Sequence, residues 1–89
     1  MKIILTVTGI DHEGIIAAVT ATLAERKVNV LDVSQTIMDD FFTMILRAEL
    51  PTDDFDLAGL QDTMAELGKT LGVDIRVQSE ALFTAMNEV

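Results

Sequence analysis

The spacing of the apolar residues constrains this chain of 89 residues more than any other feature. Lys2–Thr8 alternates as a β-strand does, and from Ile15 the apolar residues recur with the period of an amphipathic helix. Val28–Met38 and Phe41–Leu50 are two further strand-like runs, and only two residues separate them. This spacing indicates a hairpin. The first half therefore predicts a strand, a helix and a pair of antiparallel strands.

The second half repeats the order of helix and strand. Asp56 is expected to be a helix N-cap, with Phe55 and Leu60 placed to form a hydrophobic staple. Gly72 suits a left-handed C-terminal cap, and Val73 begins an alternating run typical of a half-buried strand. The apolar stripe of this second helix consists of Leu57, Leu60, Met64, Leu67 and Leu71.

The order βαββαβ predicts an α+β, ferredoxin-like sandwich over residues 1–80. We expect an antiparallel four-stranded sheet with both helices on one face. The other face is predicted to carry Ile4, Phe41, Thr43 and Ile45, and an uncovered apolar face of this kind usually becomes an interface.

Residues 81–89 form a short helical tail in this interpretation. Leu82, Phe83, Met86 and Val89 fall on one side of a helical wheel, so the tail has an apolar side. Two alternatives stay open, a frayed terminus and a tail that docks on its own or a partner subunit.

Composition predicts an oligomer in the cytoplasm. The chain is 49% apolar with a mean hydropathy of +0.38, whereas a domain of this size buries only about 60% of its unfolded surface. We therefore expect at least a dimer. No run is long enough for a membrane span, and the apolar run after Lys2 is too short for a signal peptide.

The net charge of −9 argues against nucleic acid and anionic membranes as partners. The few basic residues are scattered through the chain at Lys2, Arg26, Lys27, Arg47, Lys69 and Arg76. RNA-recognition modules need stacking aromatics and metallochaperones need cysteines, and this sequence has no tyrosine, tryptophan or cysteine.

Enzyme chemistry is poorly supplied, because His12 is the only histidine and there is no cysteine nucleophile. We expect no catalytic residue, no bound metal and no cofactor. A small metal-dependent enzyme built on Asp11, His12 and Glu13 is kept as a third interpretation.

The first loop is the best candidate site. Asp11 is interpreted as the N-cap of the first helix, and Gly9 and Gly14 would let a ligand approach the backbone. The free amides from His12 to Ile15 and the helix dipole would suit a carboxylate. The alternative is that Asp11 only caps the helix and the glycines only serve turn geometry.

The loop and its surroundings resemble the opening of an ACT domain. Thr8–Ile15 follows that family's pattern Gly-x-Asp-x-x-Gly-Ile, and Asn29 stands near the start of the second strand. The resemblance covers residues 1 to about 80. Val33–Ile37, Phe42–Met44 and Leu82–Met86 are similar to a subgroup of small bacterial and archaeal proteins in which the ACT domain is the whole protein. The chain is also similar to the halves of the glycine cleavage system transcriptional repressor.

The resemblance implies regulatory binding of an amino acid or another small molecule at an interface between paired domains. By position it implies ligand contacts from Asp11, His12, Gly14, Ile15 and Asn29. The function expected is a non-catalytic regulatory or sensor domain that forms a homo-oligomer. The alternative is a ligand-free protein-interaction module that acts on a partner protein through its acidic surface and its tail.

Overall fold

The computed structural model describes residues 1–87, and all six predicted elements are present. Their order is βαββαβ followed by one short helix, as the apolar spacing predicts. The bounds are β1 (Lys2–Ile10), α1 (Ile15–Glu25), β2 (Asn29–Met38), β3 (Phe41–Glu49), α2 (Leu57–Leu71), β4 (Val73–Ser79) and α3 (Glu80–Asn87).

The four strands form an antiparallel sheet in the order β2-β3-β1-β4. β1 lies in the middle and pairs with β3 from Lys2 opposite Glu49 to Ile10 opposite Phe41. β2 and β4 are the two edge strands, so within residues 1–87 each has one side without a neighbouring strand. The α+β, ferredoxin-like prediction is confirmed.

The core lies between one face of the sheet and the two long helices. Alternate residues of the strands point into it, and α1 and α2 each present an apolar stripe to it. Residues that are fully buried there include Ile3, Leu5, Val7, Val19, Leu23, Met44, Leu46, Leu60 and Met64. β2 contributes little, since its residues are exposed except for the half-buried Val30.

Both ends of α2 follow the sequence prediction. The carboxylate of Asp56 accepts a hydrogen bond from the backbone N–H of Gly59 at 3.0 Å. Gly72 ends the helix with φ of 73°. A Cβ at Gly68 would lie 2.7 Å from the carbonyl oxygen of Val73, so this mid-helix glycine permits the close approach of β4.

The predicted N-cap of α1 is wrong. Gly14 is the N-cap, with φ of 91° and no side-chain hydrogen bond. Asp11 lies too early, because an N-cap carboxylate must directly precede the helix to reach its second or third amide. Its backbone N–H instead donates to the carbonyl oxygen of Asp40 at 2.8 Å, which joins the loop to the β2–β3 turn.

The tail helix α3 lies on the face of the sheet opposite α1 and α2. The guanidinium of Arg47 donates to Glu80 at 2.5 Å, and the Gln78 amide donates to the sulfur of Met86 at 3.7 Å. Ile4 pairs with both Arg47 and Gln78 in the sheet and is 7% exposed beneath this helix. The tail therefore docks on its own chain, while the predicted contribution of Val89 lies outside the described residues.

The helices within residues 1–87 are too short or too polar to cross a membrane.

Candidate functional site

The first loop, residues 11–14, connects β1 to α1 and is held from two sides. Asp11 is bonded to the β2–β3 turn through its backbone. The ring of His12 reaches the carboxyl end of α2, where its Nε2 lies 2.6 Å from the carbonyl oxygen of Leu71. The loop thus joins parts of the chain that are far apart in sequence, and it is a fixed platform for a site.

Gly14 has the strictest conformational requirement in this loop. Its φ of 91° lies in the region that L-residues avoid, although a Cβ there would meet no atom within 4 Å. The backbone, and not crowding, therefore demands glycine. Gly9 serves a different purpose, because a Cβ there would lie 2.8 Å from the Val73 side chain. The sequence interpretation of Gly9 as an opening for a ligand is not supported by this geometry.

A cavity of about 250 Å³ lies beside the loop. Most of its lining residues are apolar, and its polar lining residues are Asp11, His12 and Gln35. The lining residues are Asp11, His12, Gly14, Ile15, Ile16, Ala17, Gln35, Ile37 and Phe42. Four of the five site residues that the sequence indicates therefore border one cavity.

Asn29, the fifth predicted site residue, lies at the other end of the sheet. It pairs with Glu49, whereas the first loop follows Ile10, which pairs with Phe41. The length of β2 separates Asn29 from the loop end by roughly 30 Å. Within one chain, Asn29 does not join the other four residues.

Gln35 and Ile37 were not among the site residues that the sequence indicates. They pair with Met44 and Phe42, so they lie on the helix side of the sheet. The signal that could have identified them is the alternation of β2 counted through the hairpin, which puts Gln35 on the same face as apolar Val33 and Ile37. Gln35 is polar and exposed on this face, so its side chain is available to a ligand.

The amino end of α1 opens toward this cavity. The first intrahelical bond runs from the Ala18 N–H to the carbonyl of Gly14 at 2.9 Å. The amides of Ile15, Ile16 and Ala17 precede it, and amides at this position have no acceptor within a helix. With no side-chain cap at Gly14, these amides are oriented to meet an anionic group.

Both ring nitrogens of His12 contact backbone carbonyl oxygens, at 2.6 Å for Leu71 and 2.9 Å for Glu13. The Leu71 carbonyl, the Glu13 carbonyl and, to a smaller extent, the Asp11 charge raise the pKa of His12 above its ordinary value of 6.5. The site thus pairs a carboxylate with a ring that favours its charged form.

A larger groove of about 430 Å³ runs between the end of α2 and the edge of β4, and it contains none of the predicted site residues. Its two charged side chains already have partners. Lys69 lies 3.3 Å from Glu66, and Asp74 lies 3.0 Å from Arg76. We therefore place the candidate site at the smaller cavity, where the polar groups converge.

Within the described part of the chain, no three histidine or carboxylate side chains come close enough to hold a metal ion. The ring nitrogens of His12 face carbonyl oxygens and not a shared point with Asp11 and Glu13. The interpretation as a metal-dependent enzyme therefore lacks its ligand set among these residues.

Residues 2–78 match the sequence profile of the ACT domain. Because this match covers most of the chain, the chain belongs to the ACT domain family. ACT domains are typically regulatory and bind ligands, and they are generally non-catalytic. Membership of this family accounts for both the first-loop pattern and the strand order.

Similar proteins are known from several organisms. A UPF0237 protein of Corynebacterium glutamicum is 54% identical over 89 residues, which is 100% of both chains. The structure of an ACT domain protein from Streptococcus pneumoniae has a TM-score of 0.84 and 40% identity, over 93% of each chain. A putative glycine cleavage system transcriptional repressor has a TM-score of 0.75 at 17% identity, over 86% of this chain and 44% of that one, and shares the fold.

Proposed function

We propose that this chain is a non-catalytic regulatory domain that binds a small molecule, an amino acid, at the first-loop cavity. The observation that carries the proposal is the convergence of Asp11, His12, Gly14 and Ile15 on one cavity. The resemblance to an ACT domain implies the same four residues as ligand contacts.

The chemistry of the cavity fits the two charges of an amino acid. The Asp11 carboxylate is a partner for the ammonium group. The uncapped amides of Ile15 and Ile16 are partners for the carboxylate, because they carry the positive end of the α1 dipole. Ile37 and Phe42 would contact the side chain.

The size of the cavity supports a small ligand. Cavities for drug-sized molecules measure about 300–1,000 Å³, and this one measures about 250 Å³. It is also open along β2, whose residues from Leu31 to Met38 are exposed. One wall of the site is therefore missing in the single chain.

A second copy of the chain supplies this wall in our proposal. In the part of the chain that the structure describes, the outer edge of β2 has no neighbouring strand, and such an edge is a template for pairing with another chain. Antiparallel pairing of two β2 strands places the Asn29 end of one beside the Met38 end of the other. The site would then combine Asp11 of one protomer with Asn29 of the second, which accounts for the separation of these residues within one chain.

A second candidate function is a ligand-free interaction module. It is favoured by exposed apolar side chains on the sheet face beside α3. Phe41 is 63% and Met38 is 70% exposed there, and Ile10 and Ile45 lie on the same face. A contiguous apolar surface of this kind suits a protein partner.

Thermal unfolding followed by circular dichroism, with each of the twenty amino acids as probe, tests the ligand proposal. A ligand that binds only the folded state adds about 2.7 kcal/mol at 100 times its Kd, so at least one amino acid is expected to raise Tm. If none does, the amino-acid proposal is wrong and the interaction module is favoured.

Three variants test which residues bind the ligand. Asp11→Asn and Asn29→Ala are expected to fold normally and to lose the ligand-induced rise in Tm. The matched control is Asp62→Asn, an exposed carboxylate on α2 outside the cavity, which is expected to keep it. Retention of the full rise in Asp11→Asn would remove Asp11 from the site.

A further inference from the structure

The two contacts of the His12 ring require two protons. A carbonyl oxygen can only accept a hydrogen bond, and a neutral imidazole has one N–H donor and one acceptor nitrogen. Nδ1 faces the Glu13 carbonyl at 2.9 Å and Nε2 faces the Leu71 carbonyl at 2.6 Å. Both contacts are hydrogen bonds only when the ring is the imidazolium cation.

The position of the ring favours that cation. Leu71 is the last residue of α2, and the carbonyl end of a helix carries partial negative charge. The bonds to the Leu71 and Glu13 carbonyls raise the pKa of His12, and the Asp11 charge acts in the same direction. The two hydrogen bonds and the surrounding charges therefore both favour the protonated ring of His12.

The other charged groups near the loop do not disfavour the protonated ring of His12. The charged residues in the loop, in the β2–β3 turn and at the adjoining ends of α2 and β4 are Asp11, Glu13, Asp39, Asp40, Lys69 and Asp74. Five of these six are acidic. Lys69 is the one cation among them, and its ammonium lies 3.3 Å from Glu66. Asp74 is paired with Arg76 at 3.0 Å.

We propose that protonated His12 is a latch that fastens the first loop to the carboxyl end of α2, and that loss of its proton loosens the loop. In the neutral ring one nitrogen lone pair would face a carbonyl oxygen, so one of the two bonds is lost. Because Asp11, His12 and Gly14 border the cavity, a looser loop changes the wall that meets the ligand. This effect on the ligand rests on the function proposed above, whereas the latch itself does not.

The direction of the pH effect follows from linkage. The pKa of His12 is higher in the folded chain than its ordinary value of 6.5. The latch therefore contributes its full stabilisation below the unfolded value, and this contribution is lost as pH rises through the higher folded value. The ring therefore makes both bonds while it is protonated, and it keeps only one of them once rising pH has removed its proton.

Proton NMR tests the latch directly, because the sequence has a single histidine and its ring signals need no assignment. We expect a titration midpoint above 6.5, together with shifts of the loop amides and of the amides after Leu71 at the same midpoint. A midpoint at or below 6.5, or loop amides that do not follow the ring, would overturn the latch.

Variants separate the effect of His12 from that of the amino terminus, whose ammonium group lies 3.4 Å from the carboxylate of Asp53. Urea unfolding is compared at about pH 5.5 and about pH 8.5, on either side of the ordinary histidine value. The wild type and the control Asp53→Asn are expected to lose stability with rising pH, and His12→Gln is expected to lose less. An equal loss in His12→Gln would contradict the latch.

The effect on the cavity is measured with each of the twenty amino acids as probes at the same two pH values. We expect weaker binding at the higher pH by about fivefold or more, which is the usual lower range of coupling between two sites. Equal affinity at both values would overturn control of the cavity by the latch. Failure of every probe at both values would instead overturn the proposed function and leave the NMR titration as the test of the latch.

Discussion

Asp11 and Asp56 each stand shortly before a helix, yet only Asp56 caps one. Asp56 directly precedes Leu57 and bonds the Gly59 amide at 3.0 Å, whereas three residues separate Asp11 from Ile15. We predict that Asp56→Ala lowers the free energy of unfolding by roughly 0.5–2 kcal/mol. Asp11→Ala is expected to stay within about 0.5 kcal/mol of the wild type, as surface changes usually do.

Urea unfolding of the two alanine variants measures both effects under one condition. Asp56→Asn is a suitable control, because asparagine caps about as well as aspartate and should retain most of the stability. A loss for Asp11→Ala as large as that for Asp56→Ala would show that Asp11 stabilises α1 after all.

Asp11 and Asp56 also show how much of a single residue's role the sequence could reveal. Asp56 is followed at once by a regular apolar stripe, so its role follows from local spacing. The start of α1 depends on the positive φ of Gly14 and on the contact of His12 with Leu71, which is 59 residues away. Such a contact leaves no periodic signal near the loop, so local spacing alone predicts the wrong N-cap for α1.

Among the elements, α3 has the clearest energetic role. It covers Ile4 on the face of the sheet that α1 and α2 leave free. Removal of residues 80–89 is predicted to destabilise the chain by up to about 1.5–3 kcal/mol, the cost of fully exposing an isoleucine. Urea unfolding measures this loss.

The ion pair of Arg47 and Glu80 provides the control for that deletion. Both side chains are about one-third exposed, with 36% for Arg47 and 33% for Glu80, and such pairs contribute little. Glu80→Gln is therefore expected to cost less than about 1 kcal/mol. If Glu80→Gln is as harmful as the deletion, α3 is held by charge and not by its cover over Ile4.

The elements also show why the fold was predictable and the complete site was not. Alternation and helical spacing are local, and they defined every strand and both long helices within a few residues. The placement of Asn29 follows from register, since β2 begins at the end of the sheet far from the first loop and runs toward that loop. The exposure of β2 depends on how far α1 extends over the sheet, and alternation contains no information on that distance.

At the scale of the whole molecule, we predict a dimer joined through β2. Val33 lies near the middle of this strand and is 47% exposed, so Val33→Glu would bring two like charges together at the pairing axis. We expect the variant to be monomeric in sedimentation equilibrium while the wild type is dimeric. Ile45→Glu is the matched control, because Ile45 is 42% exposed but lies on β3 and on the opposite face.

Sedimentation also distinguishes the two surfaces that could join the copies. Dissociation by Ile45→Glu together with an intact Val33→Glu dimer would show that the copies meet through the open face beside α3. A monomeric wild type would contradict both the edge pairing and the dimer expected from composition.

Mixing two defective variants tests the central claim, a ligand site shared by two chains. A dimer made only of Asp11→Asn chains, or only of Asn29→Ala chains, has no site with both native residues. After exchange of subunits at equal amounts, half of the mixed dimers' sites have both native residues, which is about a quarter of all sites under two-fold symmetry. Calorimetry with the amino acid that raises Tm should therefore recover about a quarter of the wild-type binding capacity. No recovery after complete exchange would contradict a site built from Asp11 of one chain and Asn29 of the other.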